Sequence, residues 1–191
     1  MNRKLRFFAF ALIIAGLCGL APLGYFWMHS RQALAAPTVQ VPVTVLPVAP
    51  EVISGHPMHL SIPSVGVDLE IIDGTYNAQT GAWTLTTDKA QFATPTVEPN
   101  NFTGNTLVYG HYRKNVFSSL HTIQPGAQAV ITTDNGYTFT YTYTSNETVD
   151  PADTSVFLYK GAPRLTVQTC TGAFFQNRQM FYFEFTSYQK Q

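Results

Sequence analysis

Residues 134–144 read DNGYTFTYTYT. From Tyr137 the pattern repeats every second residue, so Tyr137, Phe139, Tyr141 and Tyr143 point one way and the threonines the other. No helix can segregate side chains at that period. Asn135-Gly136 tolerates the positive φ angles of a tight turn, and AQAVITT (127–133) precedes it as a partner strand. The chain is therefore committed to a β-hairpin with one aromatic face, which further strands must cover. HLSIPSVGVDLEII (59–72) reads as two strands broken around Pro63–Gly66. GAWTLTT (81–87), NTLVYGH (105–111), RLTVQTC (164–170) and QMFYFEF (179–185) are further strand candidates, and NVFSSLHTI (115–123) suits one or two helical turns. Many short strands punctuated by turns predict an all-β barrel or sandwich. About 130 residues suffice to bury a core without disulfides.

The first 57 residues are of another kind. Arg3, Lys4 and Arg6 precede an uncharged run from Phe7 to Met28, 22 residues long. At ~1.5 Å per residue that run crosses a ~30 Å hydrocarbon core. The basic cluster predicts residues 1–6 in the cytoplasm, a transmembrane anchor over 7–28 and an extracellular C-terminal domain. The competing reading is a signal peptide cut near ALAA (33–36), but the apolar run exceeds the usual length of a signal core. Pro37, Pro42, Pro47, Pro50 and Pro57 make 29–57 an extended stalk, leaving 58–191 as the functional domain. From Glu51 onward seven Lys and Arg stand against eleven Asp and Glu, about −4 in charge. An acidic domain offers no footprint for nucleic acid.

Export sharpens the question of cysteine. Cys18 lies within the proposed anchor, so Cys170 is a lone thiol in the exported domain. On a strand 164–170, Leu165, Val167 and Thr169 share the apolar face, while Cys170 falls on the face of Arg164, Thr166 and Gln168, at the strand end. That position favours a reactive thiol over an inert core cysteine or a bridge. A nucleophilic cysteine acts as its thiolate and needs a proton acceptor nearby. Among five histidines, His111 follows a strand directly and adjoins Gly110, so it is favoured over His121, which falls in the helical segment. His56 and His59 lack the further ligands of a metal site, and Glu98, Asp150 and Asp153 are scattered loop acids. No metal or other cofactor is expected. If RLTVQTC and QMFYFEF pair antiparallel, Arg178 becomes a neighbour of Cys170. A guanidinium there could hold a substrate carbonyl or stabilise an oxyanion, or it could be an ordinary surface arginine.

Together these segments resemble the sortase family. TVQTC (166–170) is similar to the family's T-L-x-T-C, with Val167 in place of leucine, and Arg178 stands at the position of its arginine. NTLVYGHYRKNVFSSL (105–120) resembles its histidine segment, and IPSVGV (62–67) its opening strand. The resemblance runs from about residue 57 to 187. It implies an eight-stranded sortase-type β-barrel with one or two short helices, and cysteine transpeptidase activity. Cys170 would attack a carbonyl in the C-terminal sorting signal of a surface protein. An amine from a cell-wall precursor or a pilin lysine would then resolve the thioacyl-enzyme. The resemblance gives His111 the acid/base role, Arg178 the oxyanion, and Thr169 a part in positioning substrate. Phe174 and Phe175, in TGAFFQN (171–177), could contact the sorting peptide or pack on the rim. The compact core is most like housekeeping-type or class E enzymes. Two rivals stand beside this reading. One is an anchored cysteine hydrolase with the same site and water as acceptor. The other is a non-enzymatic β-barrel binding module, in which these residues coincide by chance.

Overall fold

The computed structural model describes residues 51–77, 79 and 82–191. The proposed cytoplasmic segment 1–6, the anchor 7–28 and the stalk up to residue 50 lie outside the described residues. No helix among those described is long and apolar enough to cross a membrane.

The strands are β1 (Pro57–Ile62), β2 (Val67–Gly74), β3 (Tyr76–Asn77), β4 (Ala82–Trp83), β5 (Ala90–Ala93), β6 (Asn105–Tyr109), β7 (Gln128–Thr133), β8 (Tyr137–Val149), β9 (Arg164–Thr171) and β10 (Asn177–Lys190). Eight of them close a barrel in the order β1-β2-β5-β6-β9-β10-β8-β7, and β3 and β4 form a separate two-stranded sheet. β2 pairs with β5, and β6 with β9, in parallel; the other barrel pairs are antiparallel. The all-β barrel is thus the observed architecture, with a four-residue α-helix at Ser155–Leu158 and 3-10 turns at Pro63–Val65 and Ser118–Thr122.

Local sequence accounts for most of these elements. Pro63 starts the 3-10 turn and Gly66, at φ +66°, ends it, so the 57–74 segment becomes two antiparallel strands with Ile62 opposite Val67. The Asn135-Gly136 turn joins β7 to β8, with Gly136 at φ +81° and Thr132 opposite Thr138. Phe139, Tyr141 and Tyr143 are buried, and they meet Leu60, Ile131, Leu165, Val167 and Phe183 in the barrel core. The expected strand 81–87 is a correction. Only Ala82 and Trp83 form a strand, pairing with Asn77 and Tyr76, and the Thr84 N–H carries that pairing one residue further to the Thr75 carbonyl at 2.9 Å.

The end of the predicted stalk is docked on the barrel. Ile53 is buried, Ser54 bridges Asn100, and the Gly55 N–H donates to the Pro99 carbonyl at 3.2 Å. The His56 ring lies 3.0 Å from Asp73 and 3.2 Å from Glu98.

A second apolar cluster forms outside the barrel, on the outer face of β5, β6 and β10. It contains Ala93, Leu107, Tyr109, Val156 and Met180, with Trp83 and Phe157 packed against them. This cluster forms one end of the candidate site.

Candidate active site

The site begins with strand register. β9 and β10 are antiparallel, with Cys170 opposite Arg178 and Gln168 opposite Met180. Directly opposed residues share a face of the sheet. These two rungs form part of the floor of a groove of about 770 Å³, reached also by Leu107 and Tyr109 of β6. Its walls come from the β3–β4 sheet and from residues 151–157. Trp83 stacks on Phe157 at 5.9 Å between centroids and 7° between planes, and meets Tyr109 edge-on at 5.5 Å. The Tyr109 hydroxyl donates to the Thr84 carbonyl at 2.8 Å, tying one wall to the floor. Burial pushes the Tyr109 phenol well above its usual range, so it stays a donor.

His111 follows β6, which pairs with β9 in parallel. Tyr109 is level with Gln168, and the Gly110 N–H donates to the Gln168 carbonyl at 3.1 Å. The pairing ends there, and His111 stands two residues beyond it, half-buried and not among the residues lining the groove. A Cβ on Gly110 would lie 2.9 Å from side-chain atoms of both Val116 and Phe117, so only glycine fits there. The His111 carbonyl accepts from the N–H groups of Arg113, at 3.0 Å, and Phe117, at 3.2 Å, which fixes the loop after β6. Desolvation holds the His111 imidazole below the ordinary histidine pKa, and the nearby Arg113 cation lowers it further. Both effects favour the neutral ring.

Cys170 is a free, partly exposed thiol. Arg178 Nη1 donates to the carbonyls of Phe175 and Asn177, each at 3.2 Å, and its other N–H groups have no hydrogen-bond partner among the described residues. Among the described residues no side-chain hydrogen bond joins Cys170, His111 and Arg178 to one another.

Thr169 is 2% exposed, and its Oγ1 donates to the Gly110 carbonyl at 3.0 Å. It ties β9 to the residue before His111. Phe174 and Phe175 line neither the groove nor the smaller cavity of about 210 Å³ on the other side of Cys170. His121 does line that smaller cavity, with its ring hydrogen-bonded to the Ser118 carbonyl. Glu98 pairs with His56, while Asp150 and Asp153 accept backbone N–H bonds from Ala152 and Ser155. Trp83, Phe157, Tyr109 and Met180 were not singled out by sequence. All four pack in the cluster outside the barrel core, and only the aromatic character of Trp83, Phe157 and Tyr109 hinted at them.

The closed mixed barrel carries Cys170 and Arg178 along this groove, and His111 follows the end of the neighbouring strand β6. The Sortase domain family model matches residues 60–184, and the chain belongs to the sortase family. That membership carries an enzymatic, sortase-type role. Solved structures agree on the fold. Sortase A of Listeria monocytogenes is 23% identical with a TM-score of 0.56, over 73% of this chain and 92% of that one. The SrtA sortase from Actinomyces oris is 20% identical with a TM-score of 0.57, over 78% and 89%. Sortase C1 from Streptococcus agalactiae is 20% identical with a TM-score of 0.57, over 70% and 68%. No curated relative matches the chain in sequence.

Proposed function

We propose that the chain is a membrane-anchored cysteine transpeptidase that cuts a C-terminal sorting signal and transfers the surface protein to an amine. The observation that carries this reading is the register that sets Arg178 opposite Cys170, at the end of the groove. An extended peptide lying along Gln168, Met180 and the aromatic wall would bring one carbonyl to the Cys170 sulfur. The thiolate attacks that carbonyl, and the oxyanion forms beside the free N–H groups of Arg178. Collapse breaks the C–N bond, and the leaving amine takes from His111 the proton that the neutral imidazole received from the Cys170 thiol when the thiolate formed. The neutral His111 then accepts a proton from the incoming amine. The amine attacks the thioester, forms the new amide and releases the thiolate. Residues 1–6 lie inside, 7–28 span the membrane and 29–50 carry the domain outward. A compact housekeeping-type or class E-like role suits a domain with so few insertions between barrel strands.

The test is product analysis. A peptide carrying a Leu-Pro-x-Thr sorting sequence is incubated with the protein, with and without an amine such as triglycine. The reading predicts an amide product that needs both the amine and Cys170. Hydrolysis alone, unchanged by any amine, would instead establish the cysteine hydrolase. No turnover, equal in wild type and Cys170→Ala, together with an unreactive thiol, would leave only a binding module.

A further inference from the structure

We propose that the active-site rim docks on an anionic lipid surface through Phe174, Phe175 and Tyr112, with Arg113 and Lys114 meeting the headgroups. Phe174 is 88% exposed, Phe175 54% and Tyr112 40%. They come from two loops, after β9 and after β6, and the Tyr112 and Phe175 rings meet at 6.3 Å. The loop that displays the phenylalanines is internally built. The Phe175 N–H donates to the Gly172 carbonyl at 3.1 Å, and the Phe174 N–H to the Gln176 side chain at 2.9 Å. Gly172 takes φ +91° and Phe175 φ +56°, a left-handed conformation that costs a non-glycine residue about 1–2 kcal/mol. Both rings stand in water, and neither lines the groove beside Cys170.

Charge selects the partner. The domain is acidic overall, yet Arg113 and Lys114 follow Tyr112 directly and both are exposed. Arg113 acts electrostatically on His111, so its charge lies at this rim. Exposed aromatic rings beside cations match the interfacial zone of a bilayer, where rings sit at headgroup depth and each basic residue contributes about 1 kcal/mol on anionic lipid. The inference rests on the anchored reading above. Cys170 would then work at the level where a sorting signal leaves the bilayer.

The test uses the barrel unit, residues 49–191, which is compact and carries its own closed core. It is sedimented with phosphatidylcholine vesicles with or without about one-third phosphatidylglycerol. The expected result is stronger binding to the anionic vesicles. Arg113→Gln and Lys114→Gln should each weaken it about fivefold, and Phe174→Ser/Phe175→Ser should weaken binding further. A Phe174→Trp variant should shift its emission to the blue on anionic vesicles and be quenched by brominated lipid. Equal binding to both compositions overturns the proposal, as does indifference to the phenylalanine variants. So does absent vesicle binding with a raised KM for the sorting peptide in Phe174→Ser, which would make the loop a peptide contact. Labelling of Cys170 is read separately, so failure of the docking surface is distinguishable from failure of the catalytic site.

Discussion

Thr169→Val replaces a buried hydroxyl with a methyl of nearly the same shape. The lost bond is the 3.0 Å contact from Thr169 Oγ1 to the Gly110 carbonyl. Gly110 is buried, and its carbonyl accepts no other hydrogen bond among the described residues. Leaving a buried acceptor unpaired costs about 1–3 kcal/mol. At about 4 °C per kcal/mol for a domain of this size, melting should fall by about 4–12 °C. The same carbonyl sits one residue before His111, so a relaxed loop should also displace the imidazole relative to Cys170. Urea denaturation and the rate of Cys170 acylation by a sorting-peptide probe, read below the melting range, measure the two effects. Thr169→Ser keeps the hydroxyl and should restore the acylation rate, while losing about 1 kcal/mol of methyl burial. If Thr169→Val unfolds at the wild-type midpoint and acylates at the wild-type rate, the coupling of β9 to the His111 loop through this bond is refuted.

Other perturbations probe neighbouring parts of the argument. Arg113→Gln removes the cation beside His111, so the ring should titrate at a higher pH, closer to an ordinary histidine; an NMR titration that leaves the His111 midpoint unmoved contradicts the assignment. A Cβ on Gly74 would lie 2.1 Å from the Tyr109 hydroxyl, so Gly74→Ala should cost about 1–3 kcal/mol by overpacking. That cost should shrink in a Tyr109→Ala background, as read by chemical denaturation. Trp83→Ala removes three ring contacts, with Tyr76, Tyr109 and Phe157, each worth about 0.5–1.5 kcal/mol beyond area burial, and should weaken peptide binding in the groove by calorimetry. Gly136→Ala meets no atom within 4 Å but must adopt φ +81°, so it should cost about 1 kcal/mol in thermal melts without altering acylation.

Much of the site was legible because it depends on short-range register. The eight-residue step from Cys170 to Arg178 across a tight loop fixes them as opposed residues once both strands are recognised. The hairpin at Asn135-Gly136 was legible for the same reason. The parallel pairs were not, because β2–β5 and β6–β9 depend on long crossovers that leave no local mark. Strand β5 is four residues, all buried, with no alternation to betray it. Alternation also placed Thr166 on a polar face, whereas it is fully buried and its hydroxyl donates to Asn105. Both faces of β9 are covered here, by the barrel core on one side and by the outer cluster with residues 151–157 on the other. The Thr169 bond was hidden because its partner is a backbone carbonyl 59 residues away.

The central claim is that Cys170, His111 and Arg178 act as one acylation site. A thiol-reactive sorting-peptide probe on residues 49–191, read by intact mass, tests it most directly. Wild type is run beside Cys170→Ala, His111→Ala and Arg178→Ala, with a small alkylating reagent as a measure of plain thiol access. The account predicts one adduct, absent in Cys170→Ala and slowed by at least about tenfold in each of the other variants, while small-reagent alkylation persists in both. Labelling at the wild-type rate in His111→Ala and Arg178→Ala would contradict it and reduce Cys170 to an exposed thiol.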